Sequence, residues 1–134
     1  MRRTCLALLV LWPTAGSCET PALCADAPNQ ADGTLCARRK LQAAEADLSR
    51  AEAALRDRLD PVGRRNLERA QQAWRLFRDC ECDLETGHDA DHPESGGTIM
   101  PMLLGECAVT LTARRTRDLT DQRACPGGDL SCER

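Results

Sequence analysis

The sequence predicts an all-α protein, an antiparallel helical hairpin plus a third helix, held together by disulfides. Apolar residues recur at every third or fourth position along three separate segments, as on amphipathic helices. An Asp-Pro pair at 60–61 separates the first two segments. The chain of 134 residues has nine Cys but only one Phe, two Trp and no Tyr. A core with so few aromatic side chains is small, and covalent bridges compensate for this in small secreted domains.

The N-terminal residues 1–17 have the composition of a signal peptide. Arg2 and Arg3 precede an apolar run at residues 5–12, which is too short to span a bilayer. Cleavage before Cys18 would leave eight cysteines, an even number that suits a soluble secreted form. The alternative is a lipoprotein, in which Cys18 carries the lipid. Either form is secreted, periplasmic or at the cell surface, where disulfides persist.

The charge of the chain argues against two classes of partner. The net charge is −3, and loss of Arg2 and Arg3 would lower it to about −5. Nucleic acids and anionic membranes bind basic protein surfaces, so neither is expected as a partner. The only membrane contact expected is through the lipid on Cys18 in the alternative lipoprotein form. Residues 36–80 carry 11 Lys/Arg and 7 Asp/Glu, whereas residues 81–106 carry 7 acidic residues and no Lys or Arg.

The first two helices are predicted at about residues 35–59 and 61–84, after an irregular stretch at 18–34. Pro61 cannot continue the first helix, but Asp60 can cap the second and Pro61 can lie in its first turn. The connection is so short that the helices must be antiparallel. The apolar stripe of the first helix is Leu41, Ala44, Leu48, Ala51 and Leu55. The stripe of the second is Leu67, Ala70, Trp74, Phe77 and Leu84.

The third helix is predicted at about residues 101–122, after an exposed loop at 85–97 that is rich in Gly, Pro, Asp and Ser. Residues 18–124 are therefore expected to form one helical domain, followed by a Cys-bounded tail at 125–134. The apolar stripe of the third helix is Leu103, Leu104, Cys107, Ala108, Leu111 and Leu119.

The predicted topology gathers cysteines at one end of the hairpin. The start of the first helix, the end of the second and the start of the third meet there, so bridges should join all three helices. The cysteines expected at this end are Cys36, Cys80, Cys82 and Cys107. Pairing cannot be deduced from sequence, but the bridges expected are Cys82–Cys107 and, across the tail, Cys125–Cys132.

Several motifs resemble those of the lysozyme inhibitor LprI-like family. Residues 70–82 (AQQAWRLFRDCEC) are similar to its AQxAWxxFRDxxC segment, and residues 96–99 (GGTI) to its GGSI turn. The stretch from Cys24 to Cys36 and the helix at 107–119 resemble its first and last cysteine motifs. The motif positions include Gln71, Trp74, Phe77, Arg78, Asp79, Gly96, Gly97 and Arg115.

The resemblance extends over residues 24–119 and departs from the family pattern in the first helix. The family pattern LNxxY is replaced there by LSRAE at residues 48–52. Cysteines 18, 80, 125 and 132 are additional to those of the family. The resemblance implies a protein that inhibits lysozyme at the bacterial surface through protein–protein contact.

The acidic loop is the candidate contact surface for lysozyme or another basic protein. Common lysozymes are basic, so acidic residues would steer the encounter, and an anchored loop loses little entropy on docking. The residues expected to contribute are Glu85, His88, Asp89, Asp91 and Glu94, together with the GGTI turn. Two alternatives remain: the loop only solvates the fold, or the chain is an envelope structural or interaction module without lysozyme activity.

Catalysis, cofactors and metal binding are not predicted. Every Cys has a plausible partner, and no Gly-rich phosphate loop is present. His88 and His92 would share a metal only on a helix, which Gly87 and Pro93 oppose.

Two pairs in the second helix are expected to be structural. Trp74 and Phe77 are the largest apolar groups after residue 18 and are expected in the core. Arg78, next to Asp79, is expected to bond a carboxylate of a neighbouring helix or the turn at residues 96–97.

Overall fold

The computed structural model describes residues 24–124, and their fold is all-α, as the sequence predicts. Two short 3₁₀ turns lie at Cys24–Asp26 and Pro93–Gly96. The three α-helices are α1 (Gln30–Arg56), α2 (Pro61–Thr86) and α3 (Met100–Ala124). The predicted signal peptide, Cys18 and the tail with Cys125 and Cys132 lie outside the described residues. Within 24–124, no helix has the apolar length that a bilayer crossing requires.

Capping residues set the helix boundaries. α1 begins five residues before the predicted start because Asn29 is its N-cap, and the Asn29 side chain accepts a hydrogen bond from the Asp32 N–H at 3.0 Å. The segment predicted as irregular therefore ends at Asn29. α2 begins at the predicted residue, where the Asp60 carboxylate accepts from the Gly63 N–H at 2.6 Å.

The closest packing joins α1 to α3, which run parallel to each other. Small residues allow the approach. A Cβ at Gly33 would lie 2.8 Å from the Met102 sulfur, and one at Gly105 would lie 3.0 Å from the Ala37 Cβ. Residue numbers rise together along both helices at these contacts, which is the signature of a parallel pair.

α2 runs antiparallel to both neighbours and completes the bundle. At one end Leu67 packs with Leu48, Leu55 and Leu119, while Trp74 lies against this cluster. At the other end Cys82 packs with the α3 residues Cys107, Ala108 and Leu111. The predicted stripes of α1 and α3 therefore face the core. α1 and α2 form the predicted antiparallel hairpin, but they pack less closely against each other than α1 packs against α3.

The predicted buried face of α2 is partly wrong. Phe77 is 52% exposed and Leu84 is 76% exposed, and Ala70 is exposed as well. The buried face is rotated, with Leu67, Gln71 and Cys82 fully packed. The rotation follows from the partner of α2, since the Cys82 side must face α3 to form its bridge.

The disulfides confirm one predicted pairing, but Cys36 does not form the expected bridge between helices. Cys82–Cys107 joins α2 to α3, as expected. Cys36, however, bonds Cys24, which ties the N-terminal 3₁₀ turn to α1 and not one helix to another. Cys80 is exposed and has no disulfide partner among residues 24–124. The expectation that bridges would join all three helices is therefore wrong for α1 within the described residues.

Candidate functional site

The acidic loop lies between α2 and α3 and is fixed at both ends. Gly87 terminates α2 in the left-handed conformation, with φ of 71°, and its N–H donates to the Asp83 carbonyl. The Cys82–Cys107 bridge clamps the last turns of α2 to the first turns of α3. A segment held in this way is largely ordered before it meets a partner.

The acidic side chains proposed from the sequence all face solvent on this segment. Glu85 lies in the last turn of α2, and Asp89, Asp91 and Glu94 follow in the loop and the 3₁₀ turn; all four are exposed. His88, unlike the acids, is half-buried. Its Nδ1 atom is fully buried and has no hydrogen-bond partner among the described residues. From Asp79 to Ala113 the sequence contains no Lys or Arg, so no cation of this segment neutralises the loop.

Asp89 organises the centre of the loop. One carboxylate oxygen accepts from the Asp91 N–H at 3.0 Å and from the His92 N–H at 3.3 Å, and the other lies 3.0 Å from His92 Nδ1. The His92 contact, followed by the Asp91 N–H, lowers the pKa of Asp89 below its ordinary value. The lowered pKa keeps Asp89 charged to a lower pH than an ordinary aspartate, and its role is to shape the turn as well as to carry charge.

The two histidines of the loop do not form a metal site with their neighbours. They lie in the irregular segment and not on a helix, as the flanking Gly and Pro suggested. Among residues 24–124, no three His, Cys, Asp or Glu side chains converge in a way that could hold a metal ion.

The motif at residues 70–82 of α2 contributes to a polar network inside the bundle. Gln71 is 1% exposed and joins both neighbouring helices. Its carbonyl oxygen accepts from Arg115 Nε of α3 at 2.7 Å, and its amide donates to a Glu52 oxygen of α1 at 3.2 Å. Glu52 also pairs with Arg56 at 3.1 Å and with Arg75 at 3.6 Å. Gln71 and Arg115 are therefore scaffold residues.

Burial lowers the pKa of Arg115, whereas nearby Asp118 and Glu52 raise it. An arginine stays charged at neutral pH despite such a shift. The guanidinium thus needs the buried Gln71 oxygen as a partner.

Arg78 reaches a neighbouring helix, which is one of the two contacts considered from the sequence. Its Nη1 lies 3.2 Å from Glu45 of α1, and its Nε lies 2.9 Å from Asp79 of its own helix. The guanidinium also covers the Trp74 ring at 5.5 Å. Gly96 and Gly97 are not its partners: Gly97 has φ of 66°, and a Cβ at Gly96 would contact Met100 at 2.9 Å.

A shallow groove of about 300 Å³ lies where α1 and α2 separate. It is lined by Glu45, Leu48, Ser49, Glu52, Trp74, Arg75 and Arg78. Sequence reasoning missed it because it considered only the apolar residues of α1. Glu45 and Glu52 are seven residues apart, and this spacing places both on the face turned toward α2. Both carboxylates are paired with arginines, so the groove presents no free acid or base.

Comparison with known proteins identifies the family. The family model for lysozyme inhibitor LprI matches residues 24–119, almost all of the described chain. The chain belongs to the lysozyme inhibitor LprI family. The uncharacterized protein R02472 of Rhizobium meliloti (strain 1021) is 30% identical over 130 residues, which cover 87% of this chain and 90% of that protein. No solved structure matches the chain.

The LprI family match begins at the first cysteine of the Cys24–Cys36 bridge and ends at the core residue Leu119. It therefore includes both disulfides of the described residues, the polar network and the acidic loop. The LprI family is an inhibitor family and not a catalytic one, which agrees with the prediction that this chain is not an enzyme.

Proposed function

We propose that this protein is an extracytoplasmic inhibitor of lysozyme that binds its target through the acidic loop. The observation that supports the proposal most is that the family match includes the clamped loop, which carries four exposed carboxylates. Because the LprI family takes its name from lysozyme inhibition, the partner expected is a basic protein with a cleft.

The physical argument concerns both the encounter and the bound state. Four exposed carboxylates attract a cationic enzyme over a distance set by the ionic strength, about 8 Å at physiological salt and about 30 Å at 0.01 M. The turn held by Asp89 and the clamp at Cys82–Cys107 reduce the entropy lost when the loop docks. Export with bridge formation is part of the proposal, since both described disulfides require oxidation.

The test is a titration of lysozyme activity in a peptidoglycan turbidity assay with the exported full chain. A loop triple variant, Glu85→Gln, Asp91→Asn and Glu94→Gln, removes three charges and leaves Asp89 and its turn intact. At about 0.4 kcal/mol per exposed charge, it should weaken inhibition about tenfold at low salt.

The matched control removes three exposed carboxylates elsewhere on the helices: Asp57→Asn, Glu68→Gln and Asp121→Asn. Its net charge equals that of the loop variant, yet its inhibition should stay within about twofold of the parent, and the difference between the variants should fade near 0.5 M salt. Equal losses in both variants would assign inhibition to net charge alone. Absence of inhibition by the parent chain against animal-type and bacterial lysozymes would refute the proposed function.

A further inference from the structure

A pocket of about 240 Å³ lies beside the acidic loop, between the start of α1 and the start of α3. It is lined by Cys24, Ala27, Asn29, Gln30, Gly33, Ile99 and Met102. Apart from Asn29 and Gln30, these residues have apolar side chains or, at Gly33, none. One water molecule takes about 30 Å³ of the liquid, so the pocket has room for a side chain of another protein.

Bonds on both sides fix the walls of this pocket. The Cys24–Cys36 bridge ties the first 3₁₀ turn to α1, and the Cys24 N–H donates to a Glu106 carboxylate oxygen of α3 at 3.2 Å. On the α3 side, the Ile99 carbonyl accepts from the Met102 N–H at 3.0 Å. A site held in this way loses little conformational entropy when a partner binds.

Ile99 belongs to both the pocket and the acidic loop. It ends the GGTI turn directly before α3, and its side chain is 46% exposed. A protein that docks on the loop therefore reaches this edge of the pocket. The pocket thus extends the contact surface proposed above from charged groups to an apolar cleft.

The charges around the pocket indicate a basic partner. Residues 24–37 carry two Asp and residues 79–113 carry eight Asp or Glu, and neither stretch contains a Lys or Arg. Arg38 and Arg39 lie more than about 100° around α1 from Gly33, and Lys40 lies about 10 Å farther along that helix. Protein–protein contacts commonly have an apolar centre within a polar rim. The rim here is acidic, so the surface that fits it carries Lys or Arg around an apolar side chain.

We propose that this pocket binds an apolar side chain of a basic lysozyme, with Ile99 and Met102 against that side chain and the loop carboxylates around it. The inference rests on the proposed function and names a second part of the same contact. Exposed charges mainly speed the encounter, whereas a buried apolar anchor mainly slows dissociation. The three loop charges tested above contribute only about tenfold, so a complex with a Kd of about 1 μM or below needs a further contact of this kind.

The experiment measures association and dissociation rates by surface plasmon resonance, with the exported full chain and the lysozymes of the turbidity assay. Ile99→Ser removes the exposed wall. Ala27→Leu fills the pocket, since the Ala27 Cβ lies 3.8 Å from the position of a Cβ at Gly33. Each should weaken binding about tenfold through faster dissociation. This loss should persist near 0.5 M salt, where the loss of the loop triple variant fades.

Matched controls make similar exchanges at exposed positions away from the pocket. Val62→Ser lies in the first turn of α2, at the other end of the bundle, and Ala43→Leu lies on α1. Both should bind within about twofold of the parent. Circular dichroism should give the same helix content for all four variants, which separates a lost contact from a lost fold.

The outcomes separate this inference from the proposed function. A parent that binds lysozyme while Ile99→Ser and Ala27→Leu stay within about twofold would overturn the inference alone. A parent that binds no lysozyme would refute both.

Two other occupants of the pocket have their own signatures, and either would overturn the inference. If residues 18–23 of the same chain fill the pocket, Leu23→Ser should lower Tm and Ile99→Ser should leave lysozyme binding unchanged. If a second copy fills it, light scattering should find a dimer that Ile99→Ser abolishes.

Discussion

Replacing Gln71 by Ala should be among the most destabilising single changes in α2, because Gln71 is the buried polar link among the three helices. The substitution removes a 2.7 Å bond from Arg115 and a 3.2 Å bond to Glu52. A hydrogen bond to a charged group contributes about 1.5–3 kcal/mol. Glu52 keeps Arg56 and Arg75 as partners, so we expect the loss to come mainly from Arg115 and to be about 2–3 kcal/mol.

The assay is thermal unfolding followed by circular dichroism at 222 nm under non-reducing conditions. For a domain of about 100 residues, this loss lowers Tm by roughly 10–20 °C. The matched control is Gln72→Ala, one residue along α2, where the same amide is removed from an exposed side chain. It should change the free energy of unfolding by less than about 0.5 kcal/mol.

A double-mutant cycle identifies the partner. Gln71→Ala and Arg115→Ala together should cost less than the sum of the two single changes, with a coupling energy of about 1 kcal/mol or more. Additive effects, or an equal loss in Gln72→Ala, would refute the argument that the Gln71–Arg115 bond stabilises the bundle.

Three further changes test other parts of the fold. Phe77→Ser should lower the free energy of unfolding by under about 1 kcal/mol in urea titrations, whereas a core phenylalanine would cost about 3–5 kcal/mol. Gly105→Val should cost about 1–3 kcal/mol, because its side chain would press on Ala37 at the α1–α3 crossing, and a normal Tm would contradict the close packing. Asp89 has a folded-state pKa below its unfolded value, so it stabilises the fold above about pH 4 and loses this effect as pH falls through the folded pKa. The Tm difference between the parent and Asp89→Ala should therefore be present at pH 7 and shrink as the pH falls below the unfolded-state pKa, with Asp91→Ala as the control.

The sequence predicted the helices well because their signals are local. Asp60-Pro61 marks a helix start through capping and a fixed φ, and the stripe of α1 repeats at helical spacing. That the end of α2 and the start of α3 meet followed from topology, and Cys82–Cys107 was one of the bridges expected there. The early start of α1 escaped prediction because Asn29 lies outside any apolar periodicity and its capping role depends on one side-chain bond.

The orientation of α2 could not be predicted, because the helix has two apolar faces. Trp74, with Leu67, faces the core, while Phe77 and Leu84 face outward, and a count of apolar positions merges the two faces into one stripe. Gln71 is polar and buried, so a search for apolar residues excludes it from the core. The loop carboxylates were identifiable from sequence as an acidic segment, but the turn formed by Asp89 with His92 became visible only in three dimensions.

The parallel pairing of α1 and α3 has a consequence for how the chain folds. The residues that pack most closely, Ala37 and Gly105, are about 70 positions apart in the chain, so the main interface forms only after a long loop has closed. Contacts of such separation slow folding, and α1 with α2 alone leaves the core incomplete. α3 is therefore the helix that completes the core formed by residues 24–124. Until α3 has been made that core stays open, and the export proposed above requires an unfolded chain of this kind.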